Sequence, residues 1–467
     1  MPNAHIVRDF PSSFGGLLLR PGSLAFDRAK VVFNMRNAGE PAAIARCTTT
    51  DDVLTTMRYA AERDLPLAIR SGGHGVDASA MPEGALVADL SLMKMCTLDR
   101  ATKRVRIGSG VLLSELDAVT QDHRLVVPSG TVSTTGVAGL VLGGGVGYNM
   151  RRFGASVDSL LSCDVVTTDG RLVRASADEN PDLFWALRGG GGNFGIVTSF
   201  EFQAHESPPM VIGGMILYAA DHAAEVMQKV RDYMPTSPRE LAMIAAFSQC
   251  PPLPQVPPSQ WGKPIMILDV VYFGSHDKTD EVIGPLTRLA PPIAALVGPM
   301  PWVAANSMLD AISSYGARCF TRGGYLKTLS EAAIAAVIES WLAGPSTKTP
   351  GALTVQNLWF MGAGAIADDF AEDSCAFSRE GVDWFWEGVS MWRDPAEDDP
   401  FERWAIAAND RVRPHLRANG YVNLCLDQGP TWLRGLYGSE AKYQRLLDAK
   451  RTWDPKNLLR FNKNFKV

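Results

Sequence analysis

Three glycine-rich stretches carry most of the chemical information in this sequence. They are Gly72-Gly73-His74-Gly75, Gly143-Gly144-Gly145-Val146-Gly147 and Gly189-Gly190-Gly191-Gly192-Asn193-Phe194-Gly195. Because glycine has no β-carbon, its backbone N–H can approach a phosphate closely. A pyrophosphate needs several such donors, so three loops of this kind in one chain predict a dinucleotide that is held by the backbone.

Two common nucleotide-binding motifs do not fit these stretches. A Rossmann fingerprint follows a strand and opens a helix, whereas the stretch at Gly189 follows a predicted helix and leads into a predicted strand. The sequence contains no Gly-Lys-Ser or Gly-Lys-Thr, which excludes a P-loop. Taken alone, each stretch is also compatible with a simple tight turn.

Composition and charge narrow the class of protein. The 467 residues are 46% hydrophobic and 20% charged, which is typical of a soluble globular chain. A net charge of −5 without a basic block argues against nucleic-acid partners. We find no apolar run of the ~18 residues that a membrane helix needs and no signal peptide, so a cytoplasmic protein is expected. The seven scattered cysteines lack Cys-x-x-Cys spacing, which predicts buried thiols and no metal site.

The apolar periodicity of the sequence predicts the strands and helices that must position these loops. In the first two hundred residues strands and helices alternate, with a helix capped by Thr50 and a hairpin turn at Asp169-Gly170. Asn180-Pro181 opens a further helix that ends at Gly189. The predicted strands are residues 44–47, 65–69, 86–90, 105–107, 163–168, 171–174 and 196–202.

From Pro208 onward the predicted strands become longer, at residues 212–217, 265–273 and 353–360, and they alternate with helices at 221–233 and 330–342. A proline-rich loop at 251–264 is expected to be a surface linker, with a substrate lid as the alternative. The last fifty residues predict a strand at 421–426 and a helix at 441–451. We therefore predict one domain built from residues 1–207 and 416–467, and a second domain, 208–415, inserted as one block.

The order and spacing of several motifs resemble the FAD-linked oxidases of the berberine-bridge-enzyme type, which have the vanillyl-alcohol-oxidase fold. The motifs are Arg70-Ser71-Gly72-Gly73-His74, Pro128-Ser129-Gly130, Gly136-Val137-Ala138-Gly139, residues 182–195, Tyr421-Val422-Asn423, Asp454-Pro455-Lys456-Asn457-Leu458 and Asn462-Lys463-Asn464. The resemblance implies an α+β protein. Its two-lobed FAD-binding domain would come from both chain ends, and its inserted substrate domain would carry a mostly antiparallel sheet with helices.

The resemblance also implies which residues hold FAD. His74 takes the position of a histidine that is bonded through a ring nitrogen to the flavin 8α carbon, and a neutral imidazole is a good nucleophile. Many relatives add a cysteine at the position of Val132, which cannot form that bond, so one covalent link is predicted. The implied cofactor-binding residues are Arg70, Ser71, Gly72, Gly73, His74, Gly75, Pro128, Gly130, Thr131, Thr135, Gly136, Gly139, Gly143, Gly144, Gly145, Gly147, Gly195, Ile196, Val197, Tyr421, Asn423 and Asn462.

The family's common reaction implies a small-molecule substrate and O2 as partners, for a monomer or homodimer. A hydride leaves a carbon that bears oxygen or nitrogen and goes to flavin N5, and O2 then reoxidises the flavin to hydrogen peroxide. Tyr421 and Asn357 are the candidate catalytic residues that would face the substrate, but Asn357 cannot act as a base near neutral pH. A second tyrosine of sugar-oxidising relatives is replaced by Leu424. The usual general base is therefore not evident, and Tyr421 is equally compatible with a buried structural tyrosine.

A narrower resemblance concerns Val132-Ser133-Thr134-Thr135-Gly136, which lacks the cysteine. It is similar to bacterial relatives that tailor polyketides in secondary metabolism, where a threonine near N5 helps form a flavin-N5-oxide. Thr135 would be that third catalytic candidate, or it merely hydrogen-bonds the ring or backbone. Singly linked relatives also include an oxidase of a hydroxylated nicotine.

Three functions follow as alternatives. The first is an oxidase of small apolar or aromatic alcohols or amines, with Trp359, Phe360, Trp384 and Trp386 as candidate walls. The second is an oxygen-inserting tailoring enzyme, and the third is a flavin-binding protein without turnover. Tyr148 and Arg152 either contact the substrate or belong to the scaffold.

Overall fold

A computed structural model describes Val7, residues 9–345 and residues 351–467 of the chain. Two sheets form from the first half. The first runs β1-β2-β4-β3, with β2, β4 and β3 parallel and β1 antiparallel. Its strands are β1 Leu17–Leu19, β2 Ala43–Arg46, β3 Leu67–Arg70 and β4 Leu86–Asp89.

The second sheet is antiparallel throughout, in the order β5-β6-β10-β8-β9. Its β8–β9 pair is the predicted hairpin with the Asp169-Gly170 turn. Its strands are β5 Cys96–Asp99, β6 Arg104–Gly108, β8 Leu160–Val166, β9 Leu172–Ser176 and β10 Ile196–Gln203, and a separate short pair joins β7 Leu125–Val126 to β11 His205–Glu206.

The third sheet has seven strands, all antiparallel, in the order β15-β12-β14-β13-β17-β18-β16. They are β12 Met210–Ala219, β13 Leu241–Gln249, β14 Pro264–Tyr272, β15 Ala294–Pro301, β16 Arg318–Tyr325, β17 Leu353–Phe360 and β18 Trp384–Trp392. All seven lie inside the block 208–415. The predicted α+β class and antiparallel substrate-side sheet are confirmed.

Helices cover the outer faces of the sheets. The described α-helices are α1 Leu24–Ala29, α2 Thr50–Glu62, α3 Leu113–Gln121, α4 Val137–Leu142, α5 Met150–Phe153, α6 Pro181–Leu187, α7 Ala223–Tyr233, α8 Thr279–Val282, α9 Gly284–Thr287, α10 Trp302–Ala305, α11 Glu331–Leu342, α12 Ala365–Asp368, α13 Asp398–Val412, α14 Pro430–Leu436 and α15 Glu440–Trp453. Of these, α11 and α13 pack on the third sheet and enclose its apolar core.

The alternation of side chains in β17 and β18 decides what each face of the third sheet presents. Successive residues of a strand point to opposite faces. In β17, Gln356, Leu358 and Phe360 are buried on the side of the helices, whereas Asn357 and Trp359 line a cavity on the other side. The same sheet therefore supplies a core on one face and one wall of a site on the other.

Several local predictions need correction. Thr49, not Thr50, caps α2, because a capping box requires the acid three residues after the cap, and Asp52 occupies that place. Asn180 precedes α6 as predicted, but its side chain donates to the Arg174 carbonyl (2.6 Å) instead of capping, and the helix ends at Leu187.

The strand predicted at residues 421–426 is wrong. The segment forms a single 3₁₀ turn at Val422–Leu424. The Thr321 hydroxyl donates to the Leu424 carbonyl, and the Leu426 N–H donates to the Thr321 carbonyl (3.4 Å), but these two bonds do not extend into a strand ladder. The turn places both Tyr421 and Asn423 against the cavity.

Other sequence hypotheses concern residues away from the cavity. The Tyr148 hydroxyl donates to the buried Asp269 carboxylate, and Arg152 stacks on Phe153 and Phe273, so both belong to the scaffold. No described residue of the proline-rich loop lines the cavity, which supports the linker interpretation. All seven cysteines, which fall in the described ranges, are free thiols, and all but Cys96 are buried. Among the described helices none is long and apolar enough to cross a membrane.

Arg151 ties the first half of the chain to the third-sheet region. Its guanidinium is fully buried at the start of α5 and donates to the carbonyls of Gly362 (3.0 Å), Ala363 (3.0 Å) and Leu241 (2.5 Å). Further bonds go to Ser237 and Pro238. Burial lowers the pKa of Arg151 to about 10, which keeps it charged at neutral pH.

We predict that Arg151→Met lowers the free energy of unfolding by roughly 3 kcal/mol, because it leaves several buried carbonyls without donors. Thermal unfolding followed by tryptophan fluorescence measures the effect. The exposed Arg403 of α13 offers a matched control, since Arg403→Met should leave the apparent Tm unchanged. Equal Tm values for the two variants would contradict the assigned role of Arg151.

Candidate active site

A cavity of about 360 Å³ lies between the glycine loops, the C-terminal segment and the third sheet. It gathers residues that are far apart in sequence. The predicted site residues that line it are Ser71, Gly72, Gly73, His74, Gly75, Gly130, Thr131, Thr135, Gly136, Gly139, Gly195, Val197, Asn357, Tyr421, Asn423 and Asn462. Val132, where a second flavin-linking residue would stand, lines it as well.

The loop of His74 and the loop that ends at the start of α4 meet backbone to backbone at Gly72 and Gly136. A β-carbon on Gly72 would lie 2.5 Å from the Gly136 nitrogen, and one on Gly136 would lie 2.5 Å from the Gly72 nitrogen. Larger residues at these positions would push the loops apart. Gly75 and Gly139 differ, because no described atom comes within 4 Å of a β-carbon placed there. This open cradle, bounded by backbone, fits the dinucleotide that the sequence predicts.

His74 stands in the cavity wall between these loops. Its Nε2 is buried and has no hydrogen-bond partner in the described part of the chain. Burial lowers the pKa of His74 to about 4, so the imidazole is neutral at physiological pH. An unpaired nitrogen of a neutral imidazole is the form that can act as a nucleophile.

Seven predicted cofactor residues do not line the cavity but pack behind its wall. They are Arg70, Pro128, Gly143, Gly144, Gly145, Gly147 and Ile196. Arg70 donates to the backbone carbonyls of Ala29 and Val31, which anchors the loop that carries His74. A β-carbon on Gly147 would overlap the Ser129 carbonyl, so this glycine permits close packing. The glycines of the second stretch thus support the site from outside, whereas its Val146 lines the cavity.

Tyr421 is held by its neighbours. Its hydroxyl oxygen accepts hydrogen bonds from Asn423 Nδ2 (2.9 Å) and from the Val146 backbone N–H (3.4 Å). Burial raises the pKa of Tyr421 to about 12, which keeps the phenol protonated at neutral pH. This environment favours a structural or substrate-orienting role over that of a general base.

The sequence analysis missed a carboxylate, Glu387 of β18. It lines the cavity directly across the strand pair from Asn357, whose Nδ2 donates to Glu387 Oε2 (3.2 Å). Glu387 is 5% exposed. Glu387 is the one charged residue in the apolar strand Trp384–Trp392, and this isolated charge could have indicated a functional residue. Only the strand pairing, however, shows that it faces the cavity.

The environment of Glu387 brings its acidity close to neutral pH. Burial raises the pKa of this carboxyl from 4.5 to about 7, and the nearby side chains of Asn357 and Trp359 oppose the rise. A carboxylate with such a pKa is suited to take a proton from a bound substrate near pH 7. Its place in the cavity wall and its pKa make Glu387 the candidate for the general base that the sequence analysis did not find.

The remaining walls of the cavity are mostly apolar. They include Phe33, Leu309, Ile312, Val355, Trp359, Val389 and Met391. Of the four aromatic residues predicted as walls, Trp359 lines the cavity, whereas Phe360, Trp384 and Trp386 are buried in the core under the helices. Within the described ranges no group of three or more His, Cys, Asp or Glu could hold a metal ion.

The two-lobed α+β fold, with a glycine cradle on one side of the cavity and an antiparallel sheet on the other, defines the class of vanillyl-alcohol-oxidase-type flavoproteins. Comparison with known proteins agrees. Residues 41–176 match the family model described as FAD binding domain, and residues 420–466 match the model described as berberine and berberine like.

Relatives and solved structures extend this likeness over the whole chain. An uncharacterised FAD-linked oxidoreductase of Bacillus subtilis is 27% identical, with 94% of each chain covered. The (R)-6-hydroxynicotine oxidase of Paenarthrobacter nicotinovorans is 37% identical over 45% of this chain and 46% of its own. The crystal structure of 6-hydroxy-D-nicotine oxidase from Arthrobacter nicotinovorans superposes with a TM-score of 0.87 at 25% identity, covering 98% of this chain and 99% of that one.

The chain therefore belongs to the berberine-bridge-enzyme-like FAD-linked oxidoreductases, and it is an enzyme of that class.

We predict that Glu387→Gln stabilises the folded protein at alkaline pH. Because folding raises the pKa of Glu387 from 4.5 to about 7, its ionisation penalises the folded state increasingly between these values and fully above pH 7. At pH 8 the variant should gain roughly 3 kcal/mol, whereas near pH 4.5 most of the gain should vanish. Tm profiles against pH test this, with the exposed Glu281→Gln as control. A difference that does not grow with pH would contradict the assigned burial.

Proposed function

We propose that this protein oxidises a C–H bond next to oxygen or nitrogen in a small, apolar or aromatic alcohol or amine, using FAD that is bonded to His74. The observation that carries the proposal is that one cavity holds both the unpaired imidazole of His74 and the buried carboxyl of Glu387. The similarity to the (R)-6-hydroxynicotine oxidase supports an amine among the possible substrates.

The roles of the residues follow from their positions. A two-electron oxidation of such a substrate removes one proton and one hydride. The Glu387 carboxylate accepts the proton from the substrate O–H or N–H, and the Asn357 side chain holds that carboxylate in place through its N–H. Bound FAD supplies the acceptor for the hydride at N5, and dioxygen takes the electrons on to hydrogen peroxide.

The apolar walls orient the substrate and exclude water. Val355, Val389 and Met391 lie on the same sheet face as Glu387 and offer few hydrogen-bonding groups to a sugar. Small-molecule sites of this kind select by shape and by a few polar groups. The wall therefore favours a compact, largely apolar substrate over a carbohydrate.

A single covalent link to His74 is part of the proposal. The neutral, unpaired imidazole supports it, and Val132 excludes a thiolate link at that position. The bond should raise the flavin's reduction potential and prevent loss of the cofactor.

Thr135 supports a second candidate, the oxygen-inserting reaction through a flavin-N5-oxide. Its side chain is in the cavity wall, and its hydroxyl makes no hydrogen bond to any described residue, so it is free to contact a ligand. A stable, unusual spectrum of the oxidised protein, without release of peroxide on turnover, would favour this candidate. The third alternative, a protein without turnover, rested on the missing base and loses that support with Glu387.

We predict that the purified protein stays yellow after denaturation and filtration, whereas His74→Ala releases its flavin under the same conditions. The reason is that only a covalent bond survives unfolding of the cradle. Absorbance of the retained and filtered fractions measures the outcome. Complete release of flavin from the unmutated protein would contradict the covalent link.

We predict that Glu387→Gln slows substrate oxidation by about 10²-fold or more, because the proton loses its acceptor. Activity of the unmutated enzyme should rise with pH through about 7, since the base must be ionised, and the variant should lose that rise. Anaerobic bleaching of the flavin by a panel of benzylic alcohols, cyclic amines and (R)-6-hydroxynicotine provides the measurement. Undiminished bleaching in the variant would refute the base, and no bleaching with any compound would refute the substrate class.

A further inference from the structure

Two aromatic rings enclose the imidazole of His74. Phe33 stacks on one face, with ring centroids 4.3 Å apart and planes 13° from parallel. Tyr315 meets the imidazole edge-on, at 5.7 Å and 84°. Such contacts restrict rotation of the imidazole about its side-chain bonds. They leave Nε2 without a partner, although it is buried.

The residue next to Phe33 fastens this arrangement to the third sheet. The Phe33 backbone N–H donates to the Gly73 carbonyl (2.9 Å). Asn34 is fully buried, and its Nδ2 donates to the carbonyls of Val76 (2.6 Å) and Cys319 (2.9 Å), while its Oδ1 accepts from the Cys319 N–H (2.9 Å). The loop that carries His74 is thus bound to β16 through one amide side chain.

The segment before β16 holds the same loop from the other side. The Tyr315 hydroxyl donates to the Gly72 carbonyl (2.5 Å) and lies 3.2 Å from the Thr134 carbonyl. Asp310 accepts from both the N–H and the hydroxyl of Ser133, at 2.8 and 2.5 Å. Residues 310–315 therefore join both loops that frame the imidazole.

From this geometry we propose that Phe33 and Tyr315 are positioning residues for the attachment of flavin to His74, and that attachment requires the docked substrate domain. The inference rests on the proposed covalent link. Phe33 has no polar side-chain atom, and the Tyr315 hydroxyl is bonded to the carbonyls of Gly72 and Thr134, so both rings act on the orientation of the imidazole. Because Tyr315 comes from the inserted domain, the clamp is complete only when that domain has packed against the glycine loops.

The attachment step balances with the reactants already named. The imidazole nitrogen loses its proton and bonds to the 8α methyl carbon, which loses one hydrogen as a proton. The electron pair from the broken C–H bond passes to the flavin, and dioxygen then accepts that pair as hydrogen peroxide. A misdirected imidazole would slow bond formation without preventing FAD from binding, since the donors of the cradle are backbone groups of the loops and not the two rings of the clamp.

The test compares Phe33→Leu, Tyr315→Leu and Tyr315→Phe with the unmutated protein. Each is incubated with excess FAD, and samples are denatured over time. In-gel flavin fluorescence gives the covalent fraction, and absorbance of the native protein gives total bound flavin. Both leucine variants should attach flavin about tenfold more slowly or worse while still binding it. Tyr315→Phe keeps the ring edge and should recover most of the rate.

A second histidine stack offers a matched control. Phe153 and His205 stack at 4.3 Å and 11°, and neither lines the cavity. Phe153→Leu should attach flavin at the unmutated rate with a comparable loss of Tm. Unchanged rates in both leucine variants at Phe33 and Tyr315, or an equal slowing in Phe153→Leu, would overturn the clamp. If the unmutated protein carried only extractable flavin, the covalent link itself would fail, and this inference with it.

Discussion

The close contact between the loops at Gly72 and Gly136 is the constraint on which the site depends. A β-carbon on either glycine would lie 2.5 Å from the backbone nitrogen of the other, so the loops have no room for side chains between them. The contact brings the loop of His74 beside the loop of Thr131 and Thr135, and it turns both toward one cavity. Tyr315 and Asp310 add a second layer of hydrogen bonds to the same loops. A cofactor bound here would be surrounded by parts of the chain that these contacts hold together.

The opposite wall depends on strand register. The pairing of β17 with β18 sets Asn357 against Glu387 on the cavity face and places Leu358 against Trp386 on the core face. A shift of one residue would bury the carboxyl under the helices and expose the core to the cavity. The Glu387 carboxyl therefore relies on the same register that packs the hydrophobic core, so the stability of the sheet and the geometry of the cavity are coupled.

The parts of the site that the sequence predicted are those that local motifs encode. His74 and most of the glycines that contact the cavity are recognisable from their immediate neighbours. The second glycine stretch is different, because a glycine required by close packing, such as Gly147, looks the same in sequence as one that contacts a phosphate. The place of Glu387 in the site could not be predicted from its neighbours in sequence. Its partner Asn357 lies thirty residues away, and the pairing is set by the whole sheet. Likewise, a strand-like apolar pattern after Tyr421 cannot show that the segment turns and makes only isolated hydrogen bonds to Thr321.

In the proposed arrangement, a flavin bonded to His74 lies between the loop of that residue and an apolar wall with one buried acid, Glu387. Mass spectrometry of the tryptic peptide from Ser71 to Lys94, released from the yellow native protein, addresses this most directly. We predict a peptide that is heavier than its unmodified form by the mass of one FAD less two hydrogens, with fragment ions that place the added mass on His74. An unmodified peptide, or the added mass on any other residue, would contradict it.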